Sequence, residues 1–265
     1  MVVQYQFSER HACRLLGMAR STHRYRSRRG ERDAALRTRL KELAARRMRF
    51  GYRRLVAMLA REGMPVNHKR VYRLYREEGL AMRMRQRRRI HWSGKVASPK
   101  ASRPNQRWSM DFVSDCVSTG TVIRMLTVVD DCTRECPAIE VDTSLGGLRI
   151  GRVLDRIASE RGLPEAIVVD NGPEFRGRAM AAWSQERGVR LEFIQPGKPT
   201  QNALVESFNG RLRDECLNAN WFINLKDARQ KIERWRRDYN EQRPHSSLQY
   251  TPPAEFARKC AEMQA

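Results

Sequence analysis

Three acidic residues stand out by their spacing: Asp111 in TrpSerMetAspPhe, Asp170 in ValValAspAsnGly and Glu206 in AsnAlaLeuValGluSerPhe. Fifty-eight residues separate the first pair and 35 the second. Each Asp falls at or near the end of a short apolar run that reads as a strand, and the Glu lies in a helical pattern after a Gly/Pro-rich loop. Carboxylates gathered by a fold repel one another unless a cation lies between them. Hard oxygen donors of this kind select Mg²⁺ or Mn²⁺ over zinc. Two such ions can clamp the attacking and leaving oxygens of a phosphoryl transfer.

The elements that must position these groups follow from the pattern of apolar residues. Strands are expected at Trp108–Val113, Val122–Val129 and Ala138–Asp142, then a helix over Gly147–Arg161 and a strand at Ala166–Val169 ending on Asp170. A helix over Gly177–Arg187, a strand at Arg190–Ile194 and a loop and helix over Thr200–Leu217 complete an α/β layered order. Leu225, Ala228, Ile232, Trp235 and Tyr239 recur at helical spacing, a stripe expected to pack on the sheet. In the loop before Glu206, Lys198 is placed to meet a phosphate, and Gln201 or Asn202 to position it. Arg213, seven residues after Glu206, shares its helix face and faces entering DNA. For these four residues capping and surface solvation stand as the equal alternative.

Acidic neighbours of the three are expected to do other work. Asp130 and Asp131 at a strand end shape a turn, and Glu174, in a loop four residues after Asp170, bonds locally or faces substrate. His245, in ArgProHis, is expected to be structural rather than a general base.

Charge is segregated. Residues 1–110 carry 30 Lys/Arg, 26 of them Arg, against 7 Asp/Glu, whereas residues 111–265 carry 22 against 23. An arginine-rich half beside a neutral half implies a polyanion partner whose binding falls with salt. Residues 8–26 suggest two short helices, the first capped by Ser8 with Ala12, Leu15 and Leu16 on one apolar face. An amphipathic helix follows over Asp33–Met48. A stronger helix-turn-helix comes next, with one helix over Tyr52–Arg61 and another capped by Asn67 and stopped by Gly79. On the second helix Lys69, Arg70, Arg73 and Arg76 lie on or beside the outer face, where a recognition helix meets a DNA groove. Residues 83–104 read as a basic linker. The domains are thus 1–30 (short helix-turn-helix-like), 31–82 (helix-turn-helix), 83–104 (linker), 105–220 (catalytic core) and 221–265 (C-terminal helix and tail on the core).

No apolar run is long enough for a membrane span, and the first residues lack the pattern of a signal peptide. Cys13, Cys116, Cys132, Cys136, Cys216 and Cys260 are scattered, which fits reduced thiols in a cytoplasm. Cys132 and Cys136 have no second pair at zinc-site spacing, so no structural zinc is expected.

Several words of the chain resemble the catalytic core of insertion-sequence transposases, relatives of retroviral integrases. They are AspPheValSerAsp at 111–115, AspAspCysThrArgGluCys at 130–136 and AspAsnGlyProGluPhe at 170–175. GlnProGlyLysProThrGlnAsnAlaLeuValGluSerPheAsnGly at 195–210 and TyrAsnGluGlnArgProHisSerSerLeu at 239–248 belong with them. The likeness is greatest to the second-reading-frame product of bacterial elements that build their transposase by frameshifting. It implies a ribonuclease H-like integrase core preceded by an all-α helix-turn-helix region. It also implies Asp111, Asp170 and Glu206 as catalytic ligands of two Mg²⁺ ions, for which Mn²⁺ substitutes. Implied partners are element ends and target DNA, a homo-oligomer on paired ends, and a fusion with the upstream-frame product, all in the bacterial cytoplasm at the nucleoid. The readings from other classes are a non-catalytic DNA-binding regulator or partial product of the same element, and a metal nuclease that cuts without joining.

Overall fold

The computed structural model describes residues 7–25, 29–82, 101–195 and 199–263. Two short helices open it, α1 (Glu9–Leu15) and α2 (Arg20–Arg24), and Ser8 Oγ accepts from His11 N at 3.3 Å. The apolar face expected there differs in detail: Ala12 and Cys13 are buried, whereas Leu15 and Leu16 are exposed.

Three helices then pack around one apolar cluster: α3 (Arg29–Arg46), α4 (Tyr52–Arg61) and α5 (His68–Glu77). Leu36, Leu40 and Leu43 meet Leu55 and Leu59 of α4 and Val71, Leu74 and Tyr75 of α5, because residues three or four apart share a helix face. The Asn67 side chain caps α5 by accepting from Lys69 N at 2.8 Å. Gly63 and Gly79, both at positive φ, turn the chain out of the two helices. This is the expected helix-turn-helix. The expected linker falls for the most part (83–100) outside the described residues.

The second unit is a five-stranded sheet in the order β3-β2-β1-β4-β5. Its strands are β1 (Arg107–Cys116), β2 (Val122–Asp130), β3 (Ala138–Asp142), β4 (Ala166–Val169) and β5 (Arg190–Phe193). The first three pair antiparallel, and β4 and β5 join parallel to β1. Alternation along β1 sends Trp108 and Met110 into one apolar layer with α6 (Gly147–Arg161), α7 (Pro173–Arg176) and α8 (Arg178–Arg187). Val113 goes to the opposite layer, with Phe208 and Leu212 of α9 (Ala203–Glu215) and Ile232 and Tyr239 of α10 (Leu225–Glu241). The stripe on α10 packs as expected. A last helix, α11 (Pro253–Glu262), was not anticipated, although a Pro at its start and Glu255 in its first turn are start signals.

The two units touch through charge. Arg47 forms a two-pronged pair with Asp238 of α10, both contacts 2.5 Å. Arg61 reaches Glu255 at 2.6 Å, and Arg54 lies 3.7 Å from Glu215 at the end of α9. Phe50 sits at the seam under the guanidinium groups of Arg54 and Arg243, 5.3 and 5.6 Å from its ring centre.

Candidate active site

The strand register brings the two aspartates together. Parallel pairing sets Trp108 against Ile167 and Ser109 against Val168. Carried two residues further along each chain, the same register puts Asp111 level with Asp170 just past the end of β4. The first and fourth strands of the chain are thus neighbours in the sheet. Glu206 projects from the first turn of α9, which crosses the sheet face bearing Asp111.

Each aspartate is held by local donors. Asp111 Oδ1 accepts from Phe112 N at 2.8 Å, and its Oδ2 accepts from Asn209 Nδ2 at 2.9 Å. Asn209 Oδ1 in turn accepts from Thr127 Oγ1 at 2.9 Å, and that hydroxyl lies 3.1 Å from the Asp111 carbonyl. Thr127 is the cross-strand partner of Asp111, so one amide ties α9 to both β1 and β2 at the carboxylate itself. Asp170 Oδ1 accepts from Gly172 N at 2.9 Å. A Cβ on Gly172 would stand 2.9 Å from that oxygen and 3.2 Å from Glu174 Oε2, so only glycine fits the turn without displacing a carboxylate.

Burial raises the Asp111 carboxyl above its usual range, Phe112 N–H and Asn209 work against the rise, and the charges of Asp170 and Glu206 add to it. The three acids therefore share one electrostatic neighbourhood. Among the described residues, however, no three acidic, histidine or cysteine side chains stand close enough to form a ready metal cage. The donor set still fits a hard divalent cation: it is all carboxylate oxygen, and mutual repulsion already disfavours the charged form of Asp111. Neighbouring acids are accounted for otherwise. Glu174 is paired with Arg124 at 2.6 Å, Asp130 accepts from the backbone of Asn105, Cys132 and Thr133, and Asp131 binds Arg107 and Ser109. Asp115 bonds the next backbone amide, Cys116 N, at 2.8 Å.

The expected DNA contacts are placed unevenly. Arg213 is exposed, with one bond to the Ser114 carbonyl at 3.3 Å. Asn202 is buried, and its Nδ2 donates to the Met110 carbonyl at 3.2 Å while Oδ1 has no partner. It braces the strand beside Asp111 rather than facing solvent. Gln201 closes its own loop by accepting from Gln195 N at 2.7 Å. Lys198 lies outside the described residues. Arg70 and Arg73 are both bound to buried Asp33, whereas the Lys69 and Arg76 side chains are exposed.

Sequence reading left two contributors without a role. Asn209 stands three residues after Glu206, one turn further on the same helix face, and that spacing is the signal that marks it. Arg243, in the ArgProHis word, is almost fully buried and pairs with Glu215 through two contacts of 2.6 and 2.8 Å. It also donates toward His245 Nε2 at 3.3 Å in one tautomer. His245 is held neutral, pushed down to about 2 by burial and by the charges of Arg243, Arg211, Arg54 and Arg134. The expectation of a structural histidine agrees with this setting.

Comparison with known proteins bears on these observations. Integrase core domain models match residues 101–199 and 187–253, and an HTH-like domain model matches 31–88. An insertion element IS407 protein of Burkholderia multivorans is 52% identical over 252 residues, covering 95% of this chain and 91% of its own length. An insertion element IS476 protein of Xanthomonas euvesicatoria is 47% identical over 265 residues, covering 100% of this chain and 77% of its own. In fold, a chain of the simian T-cell lymphotropic virus intasome, solved with the PP2A regulatory subunit B56 gamma, superposes with a TM-score of 0.56 at 16% identity. That match covers 76% of this chain and 70% of the other. With an integrase core behind an HTH-like domain and close relatives encoded by insertion elements, the chain belongs to the insertion-sequence transposases of the DDE/integrase family.

Proposed function

We propose that the chain cuts and joins DNA strands at the ends of an insertion sequence, using Asp111, Asp170 and Glu206 to hold two Mg²⁺ ions, with Mn²⁺ able to replace them. The observation that carries this reading is the β1–β4 register, which levels Asp111 with Asp170 beneath the helix of Glu206. Bound magnesium would supply activation of a water or 3′-hydroxyl and offset charge on the transferring phosphate. The chain's own residues prepare that site. Phe112 N–H and Asn209 orient Asp111, Gly172 N–H orients Asp170, and Asn202 braces the strand that bears Asp111. Glu206, exposed on α9, has no hydrogen-bond or ion-pair partner among the described residues and is free to turn toward a ligand.

The substrate is DNA, met by the helix-turn-helix unit and, in the core, by Arg213 and Gln201, with Lys198 proposed from its sequence position alone as a phosphate contact. Asn202 acts beneath the site rather than on DNA. Because an element has two ends, the working assembly contains at least two copies of the chain, in keeping with the intasome origin of its structural neighbour. The resemblance adds that this assembly forms from a fusion with an upstream-frame product in the bacterial cytoplasm.

The test is strand transfer on labelled DNA carrying the flanking ends, in Mg²⁺, Mn²⁺ or EDTA, with wild type beside Glu206→Gln. Joined products that need metal and vanish in the variant support the reading. Metal-dependent joining by the variant would sink it. Binding without cleavage in either metal would favour the regulator, and nicks without joints the nuclease.

A further inference from the structure

The outer face of α5 is divided by charge. Asp33 of α3 is only 3% exposed and is anchored by two guanidinium groups, Arg70 Nε at 2.7 Å and Arg73. Arg73 first, and Arg70 after it, hold its carboxyl below the usual range against the opposing effect of burial. Arg73 also grips Glu77 at 2.7 Å, one turn along. A carboxylate this deeply buried needs its partners, so these arginines are structural ties between α3 and α5. The arginines of α4 are engaged as well: Arg54 and Arg61 lie against carboxylates of the core, and Arg53 donates to the Tyr52 hydroxyl at 3.1 Å.

What remains is a strip on the other half of the α5 face. Lys69, Tyr72 and Arg76 fall within an arc of about 60° at 100° per residue. All three are exposed, Tyr72 by 42%, and neither cation makes an ion pair among the described residues. The ring of Tyr72 is not loose. It packs against Tyr52 with centroids 4.7 Å apart, which presets its direction and lowers the entropy lost on contact. The strip starts in the first turn of the second helix of a helix-turn-helix, the part that enters a major groove. Its rise of roughly 10 Å spans about three base pairs.

We infer that Lys69, Tyr72 and Arg76 form the surface that distinguishes the element's end DNA from other duplexes, and that Arg70 and Arg73 do not. Tyr72 supplies the apolar edge that senses base identity, and the two cations flank it on phosphates or guanine edges. This rests on the reading of the chain as an end-binding transposase, and it reassigns the contact among four cations that all looked equivalent on a helical wheel.

The full chain is titrated by fluorescence anisotropy against a duplex of the terminal DNA flanking its gene and against a shuffled duplex of equal length. Wild type, Tyr72→Ala, Arg76→Ala and Arg73→Ala are compared, each with a thermal melt. Tyr72→Ala and Arg76→Ala should each reduce the preference for end DNA about tenfold, a single base contact's worth, with the melt unchanged. Arg73→Ala should lower the melting temperature and keep the preference. Should both strip variants keep the wild-type preference, or should Arg73→Ala abolish it with an unchanged melt, the assignment is overturned while the transposase reading stands. If Tyr72→Ala unfolds, Arg76→Ala decides alone, since its side chain is exposed and unpaired. A wild type that binds both duplexes equally overturns the strip and the end-binding reading together.

Discussion

At the scale of single residues, the candidate site is shaped by small groups that set its carboxylates in place. Gly172 is the sharpest case, since a methyl there would press on the Asp170 oxygen. Gly172→Ala should lower strand-transfer turnover on the order of 100-fold by misplacing one carboxylate, with little change in melting temperature. Wild-type turnover in that variant would mean Asp170 has room to spare. Asn209 is the second case. Asn209→Ala removes hydrogen bonds to Asp111 and Thr127 and should cost about 1–2 kcal/mol of stability in a urea melt. It should also raise the Mg²⁺ concentration needed for half-maximal activity, because Asp111 loses its orienting donor. A metal requirement that does not move would confine Asn209 to structure. The three candidate acids stand out in the sequence by type and spacing. Asn209, Asn202 and Gly172 do not, because an amide or a glycine in a loop has many ordinary uses and only the fold shows which oxygen it meets.

At the scale of elements, alternation and helical spacing located every strand of the sheet and its larger helices, since apolar faces must be buried and periodicity states which face. The short helix α7 escaped because four residues hold too little pattern, and α11 because its apolar stripe is thin behind two prolines. The loop between α10 and α11 shows what a motif conceals. Nothing in the residue types of ArgProHis shows where it packs, yet Arg243 and His245 are buried at the seam between sheet, α9 and helix-turn-helix. That burial has a pH signature. His245 is neutral in the fold down to about 2 against an ordinary value of 6.5. As acid is added below 6.5, the unfolded chain takes up a proton that the fold refuses, so stability falls as pH drops. His245→Gln keeps an acceptor for Arg243 without that proton. Its urea midpoint should fall less than wild type's between pH 6.5 and about 5, above most carboxylate titration. Parallel pH profiles would show that His245 is not the group responsible.

At the scale of the molecule, the charge asymmetry seen in the sequence proves to be partly self-satisfied, which no count of residues reveals. Asp238, Glu215 and Glu255 of the core meet Arg47, Arg54 and Arg61 of the helix-turn-helix unit. Ion pairs of this kind weaken with salt. Asp238→Asn, which removes the two-pronged contact, should increase the radius of gyration in low-salt X-ray scattering toward the value wild type reaches in high salt. Equal radii for both proteins at low salt would mean that Phe50 and its apolar neighbours hold the seam without help. The same row of arginines, recurring every seven residues, has a bearing on traffic along the chromosome. Were it open, it would add sequence-blind grip on any duplex, and a protein that grips every duplex spends its time in the wrong places. With those arginines occupied by its own carboxylates, the chain would shorten each false stop and, on the end-binding reading proposed above, leave discrimination to the few side chains on the free face of one helix.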